Sequence, residues 1–220
     1  MIKLSKRLER ISTYIDKDDN VLDIGCDHAL LDIYLSNKYS KKYYASDLRE
    51  SALDMAKSNI EKYKANNVIL KCGNGLDVLD DNMNVNTIVI SGMGYLTIMG
   101  ILKNIKRIKN IDKVIIQSNS NPEIVRKFMI KNGFHIKKET IVLDKNIYYI
   151  ISMFERGKKK HSKLDIEIGL INDEILSSYL DIEIKKNNVL LSIIPKKQIL
   201  RRYNIKNKLK YLHKKKNSIT

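Results

Sequence analysis

Five short apolar stretches recur along the first half of this 220-residue chain: "VLDIG" (21–25), "YYASDL" (43–48), "VILKCG" (68–73), "TIVISG" (87–92) and "KVIIQS" (113–118). Longer segments with helical periodicity lie between them. This alternation constrains the fold more than any other feature. Strands that are apolar along their whole length are buried on both faces, and the crossovers that join parallel neighbours put helices there. The pattern predicts helices near 29–38, 50–64, 96–107 and 122–132. The last has clear punctuation, with Asn121 and Pro122 at its start and Asn132-Gly133 at its end. A helix is also predicted ahead of the sheet, where Leu4, Leu8, Ile11 and Ile15 share one face. Two further strands, "HIKKETIVL" and "NIYYIISMFE", meet at Asp144-Lys145-Asn146. That connection is too short for a crossover helix, so the pair is antiparallel.

The expected fold class is therefore α/β: a Rossmann-like sheet of parallel strands ending in an antiparallel hairpin. After Phe154 the pattern changes. The polar stretch "ERGKKKHSK" leads into a helical segment from Leu164 to Lys186, with Ile168, Ile171 and Ile175 at helical spacing. Pro195 is expected to open a second helix through Lys216, with Ile205, Leu209 and Leu212 on one stripe. Two domains follow from this, a sheet domain over 1–156 and a small α-helical hairpin domain over 157–220. Charge divides at nearly the same place. Residues 1–155 hold 24 basic and 19 acidic residues, whereas 156–220 hold 17 and 6. From Pro195 onward there are 10 basic residues and no carboxylate. A field of one sign confined to one end suggests a polyanionic partner, nucleic acid first, with a solvated tail as the alternative.

No apolar run approaches the ~20 residues of a membrane span. The amphipathic, charged "MIKLSKRLERI" lacks the features of a secretory signal. Cys26 and Cys72 are the only cysteines, and no CxxC exists. Disulfide scaffolds and structural zinc are thus not expected, both cysteines are assigned to the core, and a reducing cytoplasm fits.

In open parallel sheets ligands bind beyond the carboxyl ends of the strands. The first strand ends in "DIGCDHALL", where Gly25 permits a tight turn and close backbone approach. Asp27 and Ala29 stand where GxGxxG would place glycines, and the Gly-Lys-Ser/Thr of a P-loop is absent. Acidic residues at this loop disfavour a phosphate-rich cofactor and suit a cation. Asp23 and Asp27 are the candidate carboxylates; Asp32 is expected on a solvated helix face. Asp47 ends the second strand, 24 residues after Asp23, at the place where an acid commonly meets ribose hydroxyls. Asn74 in "CGNGL" is placed to meet an adenine edge. Gly92 and Met93 in "SGMGYL" border the same crevice, and the fifth strand ends in "QSNSN". Together these residues describe a pocket for a positively charged, phosphate-free nucleoside, and S-adenosylmethionine fits. Structural readings stand beside each feature. Asp23 can bond its own loop, Asp47 can cap the next helix, Gly92 and Gly94 can serve only a turn, and His28 can be structural.

The motifs "RLERISTYI", "LDIGCDHALLDIYL", "CGNGL", "SGMGYLTIMGIL", "IIQSN" and "YYII", in this order over roughly 7–151, resemble the TrmK family, bacterial tRNA methyltransferases that modify N1 of adenine 22. The sequence departs from the family at Asn74 (usually Asp), Tyr95 (usually Gly) and Ser118 (usually Pro). The resemblance implies a class I methyltransferase sheet and S-adenosylmethionine as methyl donor. It implies tRNA as substrate, and a monomer is expected. The cofactor-binding residues it suggests are Asp23, Gly25, Cys26, Asp47, Leu48, Asn74, Gly75, Ser91, Gly92 and Met93. For the acceptor side they are Asp27, His28, Asn119 and Tyr95, with Asp27 facing the adenine and Tyr95 as a stacking face. Lys196, Lys197, Arg201 and Arg202 are expected to contact RNA. The alternatives are a methyltransferase acting on another RNA, DNA or a small molecule, and a noncatalytic RNA-binding module.

Overall fold

The computed structural model describes residues 2–39, 41–80 and 82–219. Seven strands form one sheet: β1 (Val21–Ile24), β2 (Tyr43–Asp47), β3 (Val68–Cys72), β4 (Thr87–Met93), β5 (Lys113–Ser118), β6 (Phe134–Asp144) and β7 (Ile147–Arg156). Their order is β3-β2-β1-β4-β5-β7-β6. Strands β1 to β5 are parallel, and β7 runs antiparallel to both β5 and β6. The chain moves outward from β1 to β3, then returns to place β4 on the other side of β1. The sheet therefore reverses its order beside β1, which opens a crevice at the carboxyl ends.

Every residue of β1 and β5 is buried. Alternate side chains feed two apolar layers. Val89 and Ile115 point into one layer with Ile11, Leu31 and Leu35, under α1 (Lys6–Ser12), α2 (Leu30–Lys38) and α3 (Glu50–Tyr63). Ile88, Ile90, Val114 and Ile116 point into the other with Met129, under α4 (Tyr95–Ile101) and α5 (Pro122–Lys131).

The helix boundaries differ from the sequence pattern in instructive ways. α1 is shorter than its apolar spacing: Ser5 caps it by accepting from Leu8 N, and it stops at Ser12. The segment expected as one helix over 96–107 is α4 followed by a 3-10 stretch (Leu102–Ile108) kinked at Asn104. Asn104 and Arg107 bind Asp77, Leu76 and Leu79, and so tie that stretch to the loop after β3.

The expected helix over Leu164–Lys186 is broken. It forms α6 (Lys163–Glu167), a turn at Gly169 with φ +107, and then α7 (Leu176–Ile193). The cause is a buried ionic joint. Arg126, on α5, is 1% exposed, and its Nε lies 2.7 Å from Glu139 Oε1. Its remaining N–H groups donate to the carbonyls of Ile166, Glu167 and Ile168 at 3.3–3.4 Å, so the guanidinium caps α6. Glu139 Oε2 accepts from Leu170 N at 2.7 Å. A Cβ on Gly169 would sit 2.6 Å from that same oxygen, so only glycine lets the chain pass. Around this joint Ile141, Ile150, Ile168, Ile171, Leu180 and Leu212 form a third apolar cluster. It seats α7 and α8 (Ile199–Asn217) against the β6–β7 hairpin. The second helix of the pair begins at Ile199, because Pro195 to Gln198 forms the turn between helices.

Candidate active site

A pocket of about 590 Å³ opens where β1, β2 and β4 end. Its wall begins with Gly25, at φ +77, whose N–H and that of Cys26 both donate to Ser46 O at 2.7 and 2.9 Å. A Cβ on Gly25 would stand 1.9 Å from Met93 Cε, so glycine lets β4 close on the turn. Two non-glycine residues, Asp27 and Ala29, then take the left-handed conformation at φ 52. Such backbone is uncommon and concentrates at functional sites.

Asp27 is half-exposed at the pocket rim, with His28 Nε2 and Arg49 Nη2 each 3.4 Å from its carboxylate. His28 Nδ1 is buried without a partner. Asp47 is buried: its Oδ2 accepts from Asp27 N at 3.3 Å, and its Oδ1 from Arg49 N at 3.0 Å. It does not cap α3, whose N-cap is Arg49. Arg49 Nε also donates to Oδ1, at 3.3 Å, which leaves Oδ2 as the oxygen with a lone pair for a hydroxyl group.

The pocket floor differs most from the sequence expectation. Asp32 is not solvated; it is 0% exposed, and among the described residues neither of its oxygens has a partner in good hydrogen-bond geometry. It lies within hydrogen-bonding reach of Asp23, which lines the pocket. Burial pushes both carboxyls up, Asp23 to about 7 with Arg7 opposing the rise, and Asp32 well above its ordinary range. For both, the charged form is disfavoured by the apolar floor, and for Asp32 also by the neighbouring Asp23 carboxyl.

On the β4 side, Gly92 has φ +80 and its N–H donates to Gln117 Oε1 at 2.9 Å. Arg7 Nη1 donates to that same oxygen at 2.8 Å and to Ser91 Oγ at 3.3 Å. Gln117 Nε2 in turn donates to Asn119 Oδ1 at 2.9 Å, and Asn119 Nδ2 to Gly92 O at 2.8 Å. Arg7 also stacks on Tyr149, 5.5 Å from the ring centre. Sequence reasoning missed Arg7 and Gln117. The alternation does mark Gln117 as a polar residue in a strand buried on both faces, but nothing local announces a partner 110 residues away.

All ten residues expected at the cofactor line this pocket, Asn74, Gly75 and Leu48 among them, as do Asp27 and His28. Asn119 and Tyr95 do not. They stand on the β5 side, Asn119 beside Gly92 and Tyr95 at the first turn of α4, where its N–H donates to Ser120 Oγ. Cys26 is buried, but Cys72 is exposed at the end of β3, contrary to its assignment to the core. Lys196, Lys197 and Arg201 are exposed at the tip of the α7–α8 pair. Arg202 turns inward instead and donates to Leu191 O and Ile194 O at 2.7 Å, closing the end of α7. Among the described residues no helix is long and apolar enough to cross a membrane.

The donor set fits a cationic nucleoside without phosphate: carboxylates at floor and wall, apolar Leu48 and Met93, and a turn that a Cβ would obstruct. Residues 4–152 match the family model for a methyltransferase domain. The chain is 29% identical over 195 residues to the tRNA (adenine(22)-N(1))-methyltransferase of Bacillus subtilis, covering 86% of this chain and 79% of that one. It is 31% identical over 179 residues to a Mycoplasma genitalium protein described provisionally as a tRNA methyltransferase, covering 79% of each. Among solved structures, M. capricolum TrmK in complex with S-adenosyl-homocysteine superposes with a TM-score of 0.87 at 30% identity over 99% of both chains. The pocket, the sheet order and the appended helices agree with these likenesses: the chain belongs to the TrmK family of S-adenosylmethionine-dependent tRNA methyltransferases.

Proposed function

We propose that this protein methylates N1 of adenine 22 in tRNA, in the cytoplasm, with residues 157–220 as its tRNA-docking domain. The observation that carries the reading is the acidic, phosphate-averse pocket at the Gly25 turn in a chain of this family. When bound, S-adenosylmethionine supplies a methyl group on a sulfonium centre. Asp23 serves its ammonium end, Asp47 its ribose hydroxyls, and Asn74 with Leu48 its adenine.

Adenine N1 has a free lone pair, so no base is required before attack, and alignment can supply much of the rate. Methylation makes the ring cationic. A carboxylate fixed beside it stabilises that charge as it develops. Asp27 is suited to this task, because the left-handed backbone aims it out of the turn while Arg49 and His28 hold it on two sides. Asn119 has its amide fixed by Gly92 and Gln117, which leaves one N–H and one oxygen lone pair for the base edge. N1 lies on the pairing edge, so a paired target must leave its helix, and Tyr95 offers a ring to receive it. Mapping of methylated positions in bulk tRNA after incubation with protein and donor tests the reading. Modification at N1 of adenine 22 is the expected result. Methylation only of other nucleic acids or small molecules, or no binding of the donor in calorimetry, refutes it.

A further inference from the structure

The tip of the α7–α8 hairpin combines two properties that soluble surfaces seldom combine. Ile199 is 76% exposed, Leu200 73% and Tyr203 60%, three large apolar side chains within one and a half turns of α8. Around them stand Lys196, Lys197, Arg201 and Lys206, all exposed, and no carboxylate occurs from Pro195 to the end of the chain. An exposed cluster of this kind marks a contact site. The turn that carries it is fixed, because Arg202 bonds two carbonyls at the end of α7.

The cluster is also continuous with the catalytic face. A groove of about 980 Å³ runs between α5 and the helical pair, from Tyr95 and Asn121 at one end to Ile194, Arg201 and Asn204 at the other. Leu200 precedes Asn204 by four residues, and Tyr203 precedes Asn207, also in the groove wall, by four. Residues four apart share a helix face, so the apolar pair extends the groove wall by one turn. Most cations inside the groove are already paired, Lys127 with Glu167 and Lys186 and Lys208 with Glu183. The charge available to an incoming anion is therefore concentrated at the tip.

We infer that Ile199, Leu200 and Tyr203 form a nucleobase-contacting surface, which packs on an exposed base plane of the substrate RNA while Lys196, Lys197 and Arg201 engage the flanking phosphates. A folded RNA presents both things this surface asks for, dense anionic charge and flat apolar rings left uncovered at loops. Stacking on aromatic side chains is an established source of sequence-tolerant affinity. The inference rests on the proposed tRNA substrate and adds where, and with what chemistry, that substrate is held.

The test is tRNA binding across a salt series with the full-length protein and an Ile199→Ser/Leu200→Ser/Tyr203→Ala variant. Circular dichroism and donor binding serve as controls for folding. The variant is expected to lose about tenfold or more in affinity at every salt concentration. Its slope of log K against log salt should match wild type, since every phosphate-binding cation is still in place. Tyr203→Phe alone should retain binding. Wild-type affinity in the triple variant overturns the inference and leaves the enzymatic reading intact, provided wild type still methylates tRNA. A wild type that binds no tRNA overturns both. The inference also fails if the triple substitution leaves RNA affinity unchanged but dissociates a dimer in sedimentation, or abolishes binding to phosphatidylserine vesicles.

Discussion

At the carboxyl ends of β1 and β2 the charged groups are four carboxyls and two arginines, Arg7 and Arg49, and most are held by defined neighbours. At the tip of the α7–α8 pair they are cations that stand in solvent, Lys196 and Lys197 foremost. Asp47 accepts two backbone N–H groups, and Asp23 and Asp32 face each other in the buried floor. The difference separates two tasks. Fixed charges in a protected pocket discriminate between small ligands by geometry and cost folding energy when left uncompensated. Solvated charges on flexible stems contribute little to stability, but they attract a polyanion over about one Debye length. Arg202, the fixed arginine of the hairpin tip, is not aimed at a partner.

The largest change should come from breaking the joint between the two regions. Arg126→Met leaves Glu139 buried without its cation and removes the cap of α6. A loss of about 3–5 kcal/mol in unfolding free energy is expected from denaturant titration; an unaltered midpoint would show that the joint contributes nothing. Next, Asp27→Ala should lower single-turnover methyl transfer about 10²- to 10³-fold while donor affinity by calorimetry stays within about threefold of wild type. Equal losses in both would move Asp27 to the donor side. On the other region, replacing Lys196, Lys197 and Arg201 with alanine should weaken tRNA binding. It should flatten the salt slope by about 0.9 for each phosphate no longer neutralised, with donor binding untouched.

The smallest effect concerns the pocket floor. Asp23 and Asp32 take up protons more readily folded than unfolded, because burial raises both. Between the ordinary carboxylate range and pH ~7 the native state then binds more protons than the unfolded chain, and stability falls as pH rises through that window. Asp32→Asn removes one of the two groups and should make the decline shallower. Each ~1 kcal/mol recovered corresponds to about 2–4 °C in Tm for a chain of this size. Parallel Tm–pH curves for variant and wild type would show that the pair is not linked to stability.

The strands were legible because strands buried on both faces must be apolar throughout, and their ends named the residues that line the pocket. Asp32 was misread for a local reason. Asp27 and Ala29 enter the left-handed region with no glycine to announce it, so the sequence does not show where α2 begins or that Asp32 lies on its buried face. The break at Gly169 was hidden because Ile168, Ile171 and Ile175 keep helical spacing across it. What sets it is Arg126, some forty residues upstream, and a buried tertiary contact leaves no mark on periodicity. Arg7 and Arg202 make the same point for single side chains: each is an ordinary basic residue in sequence, and its partner decides whether it faces solvent or the interior.

The guanidinium that binds Glu139 and three carbonyls of α6 also fixes a length. The 18 residues of α7 extend roughly 27 Å from that anchor. With the anchor rigid, the methylating centre and the outer contact are separated by a set span, like the jaws of a calliper. On the docking proposed above, an RNA satisfies both only when its target adenine lies at the matching distance from the feature gripped outside, and selection among adenines then becomes a measurement of tRNA shape.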